Sequence, residues 1–433
     1  MPKILDVLDP GFHAGLKNML AARREADEDI GEAVRSIIAD VRENGDEALI
    51  ALTARFDGFA PTARSLRVTA EELEQAAEKC EPGTIEALKI AAARIADFHR
   101  RQLPEDMDYV DDQGVRLGLR WKPMSSVGIY VPGGAAAYPS SVLMNAIPAR
   151  TAGVERLAMA TPTPGGVHNP LVLAAAHLAG VDEVYSVGGA QAIAALAYGT
   201  KTIPAVHMIA GPGNAYVTEA KRQMFGIVGI DMIAGPSEIL VVADNLNDPA
   251  WIAADLLSQA EHDAASQSIL VSDDRGFADR VCGEVERLLA KLPRASIAGA
   301  SWRDHGCVII VNSFTDIAPI IDLIAPEHLE LAIDDADELA ARLRHAGAVF
   351  LGRYTPEAIG DYMAGPSHVL PTARSARFSS GLGVLTFMKR SSLIGCDAES
   401  LAAIGPYAAT LAEAEGLDAH AMSVALRLDR NRR

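Results

Sequence analysis

From about Ile30 to Arg101, apolar residues recur every three or four positions, as in EAVRSIIADVRENGDEALIALTARF and LEQAAEKCEPGTIEALKIAAARIADFHR. This is the spacing of helices with one buried face, and it predicts a helical opening segment. At Val127 the rhythm changes, and short apolar runs (VGIYV, RLAMA, EVYSV, VHMIA) alternate with Ala-rich stretches of helical length such as NPLVLAAAHLAG and AQAIAALAYG. Such alternation builds a parallel sheet covered by helices. The rhythm then returns in ILVVA, QSILV, CVIIV and AVFLG, between helices expected to open at Asp248-Pro249 and Thr355-Pro356, a capping residue followed by proline in each case. From Ser391 onward the pattern reads as helical, with too little apolar surface for a core of its own.

At 433 residues the chain is longer than one hydrophobic core usually supports. The expected fold is α/β, with two Rossmann-like but incomplete parallel-sheet domains, a helical N-terminal segment and an extended helical C-terminal tail. Expected boundaries are an arm at 1–25, a first α/β domain from 26–126 and 239–385, a second at 127–238, and the tail at 386–433. The first of these domains joins the N-terminal helices to the second set of strands.

Ligands of open parallel sheets bind beyond the carboxyl ends of the strands. Glycine turns stand there: PGG (Pro132–Gly134) after VGIYV, GGAQ (Gly188–Gln191) after EVYSV, GPGN (Gly211–Asn214) after VHMIA, and GPSE (Gly235–Glu238) after DMIA. All four are expected along one sheet edge, where glycine admits a ligand close to the backbone and helix N-termini offer N–H groups to phosphate. The dinucleotide fingerprint is incomplete, since GPGNAYV has valine where a third glycine belongs. Spacing alone leaves the identity of a phosphate-bearing cofactor open.

Gln259 and His262 in DLLSQAEHD stand three apart on the helix expected from Asp248, so a carbonyl oxygen and an imidazole could reach one metal ion. Gln is an uncommon zinc ligand, and a solvated polar face is the plainer reading. Glu327 and His328 in APEHLEL could move two different protons, with a helix cap as the plainer alternative. Asp361 in IGDYMAG, His368 in GPSHVLPT, and Glu415 and His420 in EGLDAH complete the candidates, although a lone helical histidine is more often structural.

Charge narrows the partners. Asp plus Glu total 57 against 39 Lys plus Arg, and a net charge of −18 repels nucleic-acid backbones and anionic membranes. No uncharged run approaches a membrane span, and MPKILDVLDPGFHAGLKNML lacks the basic-then-apolar order of a secretory signal, so a cytoplasmic protein is expected. Cys80, Cys282, Cys307 and Cys396 are scattered without metal-site spacing.

From about Arg120 to Arg427 the chain resembles the histidinol dehydrogenase family. The resemblance is carried, in order, by VGIYVPGGAAAYPSSVLMNAIPA, GGAQAIAALAYGT, IAGPGNAYV, VGIDMIAGPSEILVVAD, DLLSQAEHD, APEHLEL, IGDYMAG, HVLPTARSARFSSGL and EGLDAHAMSV. It implies a two-step, NAD-linked oxidation of L-histidinol through its aldehyde to L-histidine, with one Zn2+ per subunit. On the matching positions, Gln259, His262, Asp361 and His420 would be the zinc ligands, His328 the base for the alcohol proton, and Glu327 the activator of water. Tyr130, Gln191 and Asn214 would contact NAD; Ser237, Glu415 and His420 would contact substrate beside Gln259, His262, His328 and Asp361. The resemblance also implies a homodimer in which the tail delivers Glu415 and His420 to the partner's site.

This sequence departs from the family pattern at Ser367, at His207-Met208 and at Thr386, none of them an expected ligand or base. A related zinc and NAD enzyme oxidising a sulfonated propanediol is the alternative, against which acidic Glu415 favours a cationic or imidazole-bearing substrate. A thiol-dependent aldehyde dehydrogenase is disfavoured because the four cysteines lie outside these blocks. A catalytically silent zinc-binding protein is disfavoured because Glu327, His328, His262 and His420 are all present.

Overall fold

The computed structural model describes residues 2–21, 28–133 and 138–430. In chain order its strands are β1 (Lys3–Asp6), β2 (Met107–Val110), β3 (Arg116–Pro123), β4 (Ser126–Tyr130), β5 (Arg156–Thr161), β6 (Glu183–Ser186), β7 (Met208–Ala210), β8 (Gly229–Ile230), β9 (Glu238–Ala243), β10 (Gln267–Ser272), β11 (Cys307–Ile310), β12 (His328–Ala332), β13 (Ala348–Leu351) and β14 (Met388–Gly395). The chain divides into a larger unit, Met1–Gln102 with Ser125–Phe387, and a smaller one, Leu103–Met124 with Met388–Arg433.

Within the larger unit, a six-stranded parallel sheet runs β1-β11-β10-β9-β12-β13, and a five-stranded parallel sheet runs β6-β5-β4-β7-β8. Every residue of β4, β9, β10 and β12 is buried, because helices cover both faces of a parallel sheet. In the six-stranded sheet, Leu240, Val242 and Leu329 feed one core while Ile239, Val241 and Leu270 feed the other. That division follows from the two-residue repeat of a strand.

The N-terminal helices depart from the expected grouping. Val34, Ile38, Val41, Leu49 and Leu52 of Glu28–Asn44 and Asp46–Asp57 share a core with Ala160, Tyr185 and Ile193 of the five-stranded sheet and its helices. The physical cause is the small face of Gly189–Tyr198, where Ala190, Ala192, Ala194 and Ala195 are fully buried and admit a second helix closely. The expected N-terminal arm is partly an edge strand, since β1 pairs in parallel with β11; its residues 22–25 lie outside the described ones.

The smaller unit holds an antiparallel sheet, β14-β3-β2. Two expectations are corrected by it. Residues 103–124 group with the tail rather than with the first α/β domain, and Met388–Gly395 is a strand, not helix. This strand is largely solvent-exposed, so it carries no apolar alternation, and only its full-length pairing with distant β3 defines it. The remaining tail forms helices Ala398–Ala414 and Asp418–Arg430, which pack closely at Gly405, where an added Cβ would meet Val424 at 3.0 Å. Among the described residues no helix is long and apolar enough to cross a membrane.

Candidate active site

The parallel register of β9 with β12 sets His328 opposite Ile239, which brings Glu327 and His328 beside Glu238 at the amino ends of the strands. His328 therefore opens a strand directly after Glu327, and neither caps a helix; it is Ala325, at the start of the segment, that ends the helix Ala318–Ile324. The site also lies at the end of this sheet opposite to the expected carboxyl-end crevice. One residue's main chain organises the pair: the Glu238 N–H donates to Glu327 Oε2 at 2.9 Å, and His328 Nδ1 donates to the Glu238 carbonyl at 2.9 Å. Assigning the proton to Nδ1 from that bond leaves a lone pair on His328 Nε2. Nε2 is buried with no hydrogen-bond partner among the described residues.

Backbone strain surrounds this arrangement. The non-glycine residues with positive φ among those described are Ala325, two residues before Glu327, and Ala373 and Arg374, whose loop donates from Ala373 N–H to Glu238 Oε1 at 3.0 Å. Gly347 passes so close that a Cβ there would lie 2.5 Å from the Glu327 carbonyl oxygen.

Gln259 is buried near the C-terminus of the helix Pro249–Ala260, which Asp248 caps as expected. The helix ends before His262, which follows the capping residue Glu261 and donates its backbone N–H to the Gln259 carbonyl at 3.2 Å. The Gln259 amide lies 3.4 Å from His328 Nδ1, and its Oε1 is buried without a hydrogen-bond partner among the described residues. The short helix Glu357–Tyr362 starts after Pro356, one residue later than expected, because the Thr355 hydroxyl bonds to the Leu351 carbonyl instead of capping. It presents Glu357 and Asp361 one turn apart, with carboxylate oxygens 3.7 and 3.8 Å from His328 Nε2. Ser258 donates to Glu357 at 2.8 Å, and His368 Nδ1 donates to the Asp361 carbonyl at 3.1 Å.

Burial dominates the electrostatics. It pushes Glu327 well above the usual carboxylate range, with Glu238, Asp361 and Glu357 adding like charge. Glu357 rises to about 7 through burial and the nearby Asp255 charge, and Asp361 rises through burial and Glu357. The imidazoles move the other way: burial lowers His328 and His262, and takes His368 down to about 4. Within reach of the Glu357 charge, Asp255 and Glu330 also rise through burial. Neutral imidazoles and carboxylates that resist ionising for want of a positive partner are the donor set a divalent cation stabilises. His328, Glu357 and Asp361 place their ligand atoms within 4.8 Å of one another. Of the expected ligands, Gln259 and Asp361 both approach His328, and His262 feels the charges of Asp361 and His328.

Sequence reading missed Glu357 and Glu238. The i, i+4 spacing of Glu357 and Asp361 was an available signal for the first. The role of Glu238 is exerted chiefly by its main chain, which no residue type announces.

The nucleotide candidates stand on the five-stranded sheet, at the carboxyl ends of its strands. Tyr130 ends β4, and its hydroxyl accepts from the Gly189 N–H at 3.1 Å. Gln191 is buried in the first turn of Gly189–Tyr198. Asn214 is exposed and caps Ala215–Met224, its Oδ1 accepting from Tyr216 and Val217 at 3.1 Å each. That leaves its amide N–H group for a ligand. The fourth glycine turn does not share this edge: GPSE leads into the amino end of β9, and Ser237 precedes Glu238 beside Glu327 and His328, its carbonyl accepting from Gln267 at 2.9 Å. Gly134 lies outside the described residues. In the smaller unit, Glu415 terminates the helix Ala398–Ala414 and His420 lies on Asp418–Arg430, both exposed.

A family model described as histidinol dehydrogenase matches residues 20–428. Histidinol dehydrogenase of Rhodospirillum rubrum is 63% identical over 431 residues, covering 99% of each chain, and that of Ruegeria pomeroyi is 59% identical over 430 residues with the same coverage. The crystal structure of histidinol dehydrogenase from Elizabethkingia anophelis is similar with a TM-score of 0.94 at 37% identity, over 100% of this chain and 99% of that one.

Proposed function

The chain belongs to the histidinol dehydrogenase family of NAD-dependent oxidoreductases, and from that premise we propose how its own residues divide the reaction. The activity is oxidation of L-histidinol through L-histidinaldehyde to L-histidine, closing histidine biosynthesis; the relatives lend no support to a sulfonated diol as substrate. Gln259, His262 and Asp361 hold a zinc ion, with His420 arriving from a second copy. Tyr130, Gln191 and Asn214 hold NAD, and Ser237 and Glu415 contact the substrate. When bound, zinc supplies a fixed positive template for substrate nitrogens, and NAD supplies the two-electron sink for each oxidation.

His328 Nε2 takes the alcohol proton as the carbon loses hydride. Its Nδ1–H bond to the Glu238 carbonyl both fixes the tautomer and stabilises the imidazolium that forms. Burial lowers its proton affinity, so the ring waits in the neutral form. Glu327, steadied by the Glu238 N–H, removes a proton from the water that adds to the aldehyde; its raised proton affinity suits a base. Alcohol, water and two NAD thus yield carboxylate, two NADH and three protons.

The observation that carries this reading is the buried His328 Nε2, without a hydrogen-bond partner among the described residues and facing two carboxylates. Exchange of tails between two copies is supported by Tyr407, Leu411, Met422 and Leu426, large apolar side chains left exposed on the last two helices. The test is NADH production from L-histidinol: two equivalents per substrate, abolished by a chelator and restored by zinc. A single equivalent, or turnover indifferent to chelation, refutes the proposal.

A further inference from the structure

The loop Gly211–Asn214 rests on a buried ion pair that the reaction itself does not use. Lys221 and Asp231 pair with side chains 3% and 0% exposed. Asp231 Oδ2 accepts from the Gly211 N–H at 2.8 Å, and Lys221 Nζ donates to the Gly211 carbonyl at 2.9 Å. Gly211 is the first residue past the ladder of β7 with β4, which ends at Ala210. Both of its backbone groups would otherwise go unpaired in a buried turn, at the cost of desolvation.

The pair also sets where the loop lies. Gly211 has φ of +107°, and a Cβ there would stand 2.2 Å from the carbonyl oxygen of Tyr130. Asp231 Oδ1 further accepts from Met232 N–H at 2.7 Å, while Lys221 sits on the very helix, Ala215–Met224, that Asn214 caps. From that helix Thr218 donates to the Ala234 carbonyl at 3.2 Å. Helix, loop and the segment after β8 thus form a closed circuit of hydrogen bonds with Gly211 at its centre. A buried ion pair contributes little net stability over a well-packed apolar pair, so its distinctive contribution is directional.

We infer that Lys221 and Asp231 are positioning residues for NAD, fixing the Gly211–Asn214 loop against Tyr130 so that Asn214 meets the dinucleotide in a set geometry. The inference rests on the assignment of Tyr130 and Asn214 to NAD. It is tested in the zinc-loaded enzyme with Lys221→Met, Asp231→Asn, the double variant and the conservative Lys221→Arg, using NAD titration by calorimetry, steady-state kinetics, zinc content and thermal melting. The double variant leaves no lone buried charge and keeps the enzyme folded where a single one fails.

The expected result is a KM and Kd for NAD raised roughly tenfold or more in the double variant. The KM for histidinol, zinc content and kcat at saturating NAD stay near wild type, and Lys221→Arg recovers most of the affinity. Unchanged NAD affinity in the folded double variant, or parallel loss of kcat and both KM values, overturns it. Asn214→Ala separates the two levels. If that variant weakens NAD while the double variant does not, the ion-pair inference falls and the NAD assignment stands; if neither weakens it, both fall.

Discussion

At the amino ends of the six-stranded sheet the candidate groups are ionisable side chains, Glu327, His328, Glu357 and Asp361, and burial shifts all four from their ordinary titration range. At the carboxyl ends of the five-stranded sheet they are glycine turns, a helix cap and a buried ion pair holding backbone groups. The contrast follows from the two tasks proposed for them. Moving protons and holding a cation requires groups whose charge can change, and burial tunes that charge. Holding a dinucleotide requires backbone set at fixed positions, which glycine and capping provide without any titrating group.

If this partition is right, each half fails in its own way. His328→Ala should cost the most, about 10²- to 10⁴-fold in histidinol turnover, with NAD affinity unchanged by calorimetry. Glu327→Ala should instead impair mainly the aldehyde-to-acid half; equal losses when alcohol and aldehyde are supplied separately would end the division of labour between them. Next in size, Glu357→Gln should lower zinc affinity about 10- to 100-fold, read by competition with a chromogenic chelator, again without touching NAD. Gly211→Ala should do the converse, weakening NAD and costing about 1–3 kcal/mol of stability through its left-handed φ, with zinc content intact. Loss of zinc in that variant, or loss of NAD binding in Glu357→Gln, would show that the two halves are coupled rather than separate.

The strands VGIYV, RLAMA, EVYSV, ILVVA and QSILV were legible because buried parallel strands are continuous apolar runs between glycine turns. HLELA was not, since Glu330 interrupts it; this carboxylate is itself buried and carried by the acidic pocket. The strand Met388–Gly395 was equally hidden, being exposed and defined only by its partner. The helix Glu28–Asn44 showed its apolar stripe plainly, yet nothing local said which sheet would receive it.

The order of residues by itself determined the two runs of parallel strands, the glycine turns that follow them, and the blocks that assign the family, because periodicity and residue type are local properties. Tertiary structure decided the rest: that Glu327 and His328 sit at amino rather than carboxyl strand ends, that Glu238 holds both of them, and that Glu357 joins them. Those facts depend on strand register and on burial, which shift protons and join groups nearly a hundred positions apart, and no stretch of sequence encodes either alone.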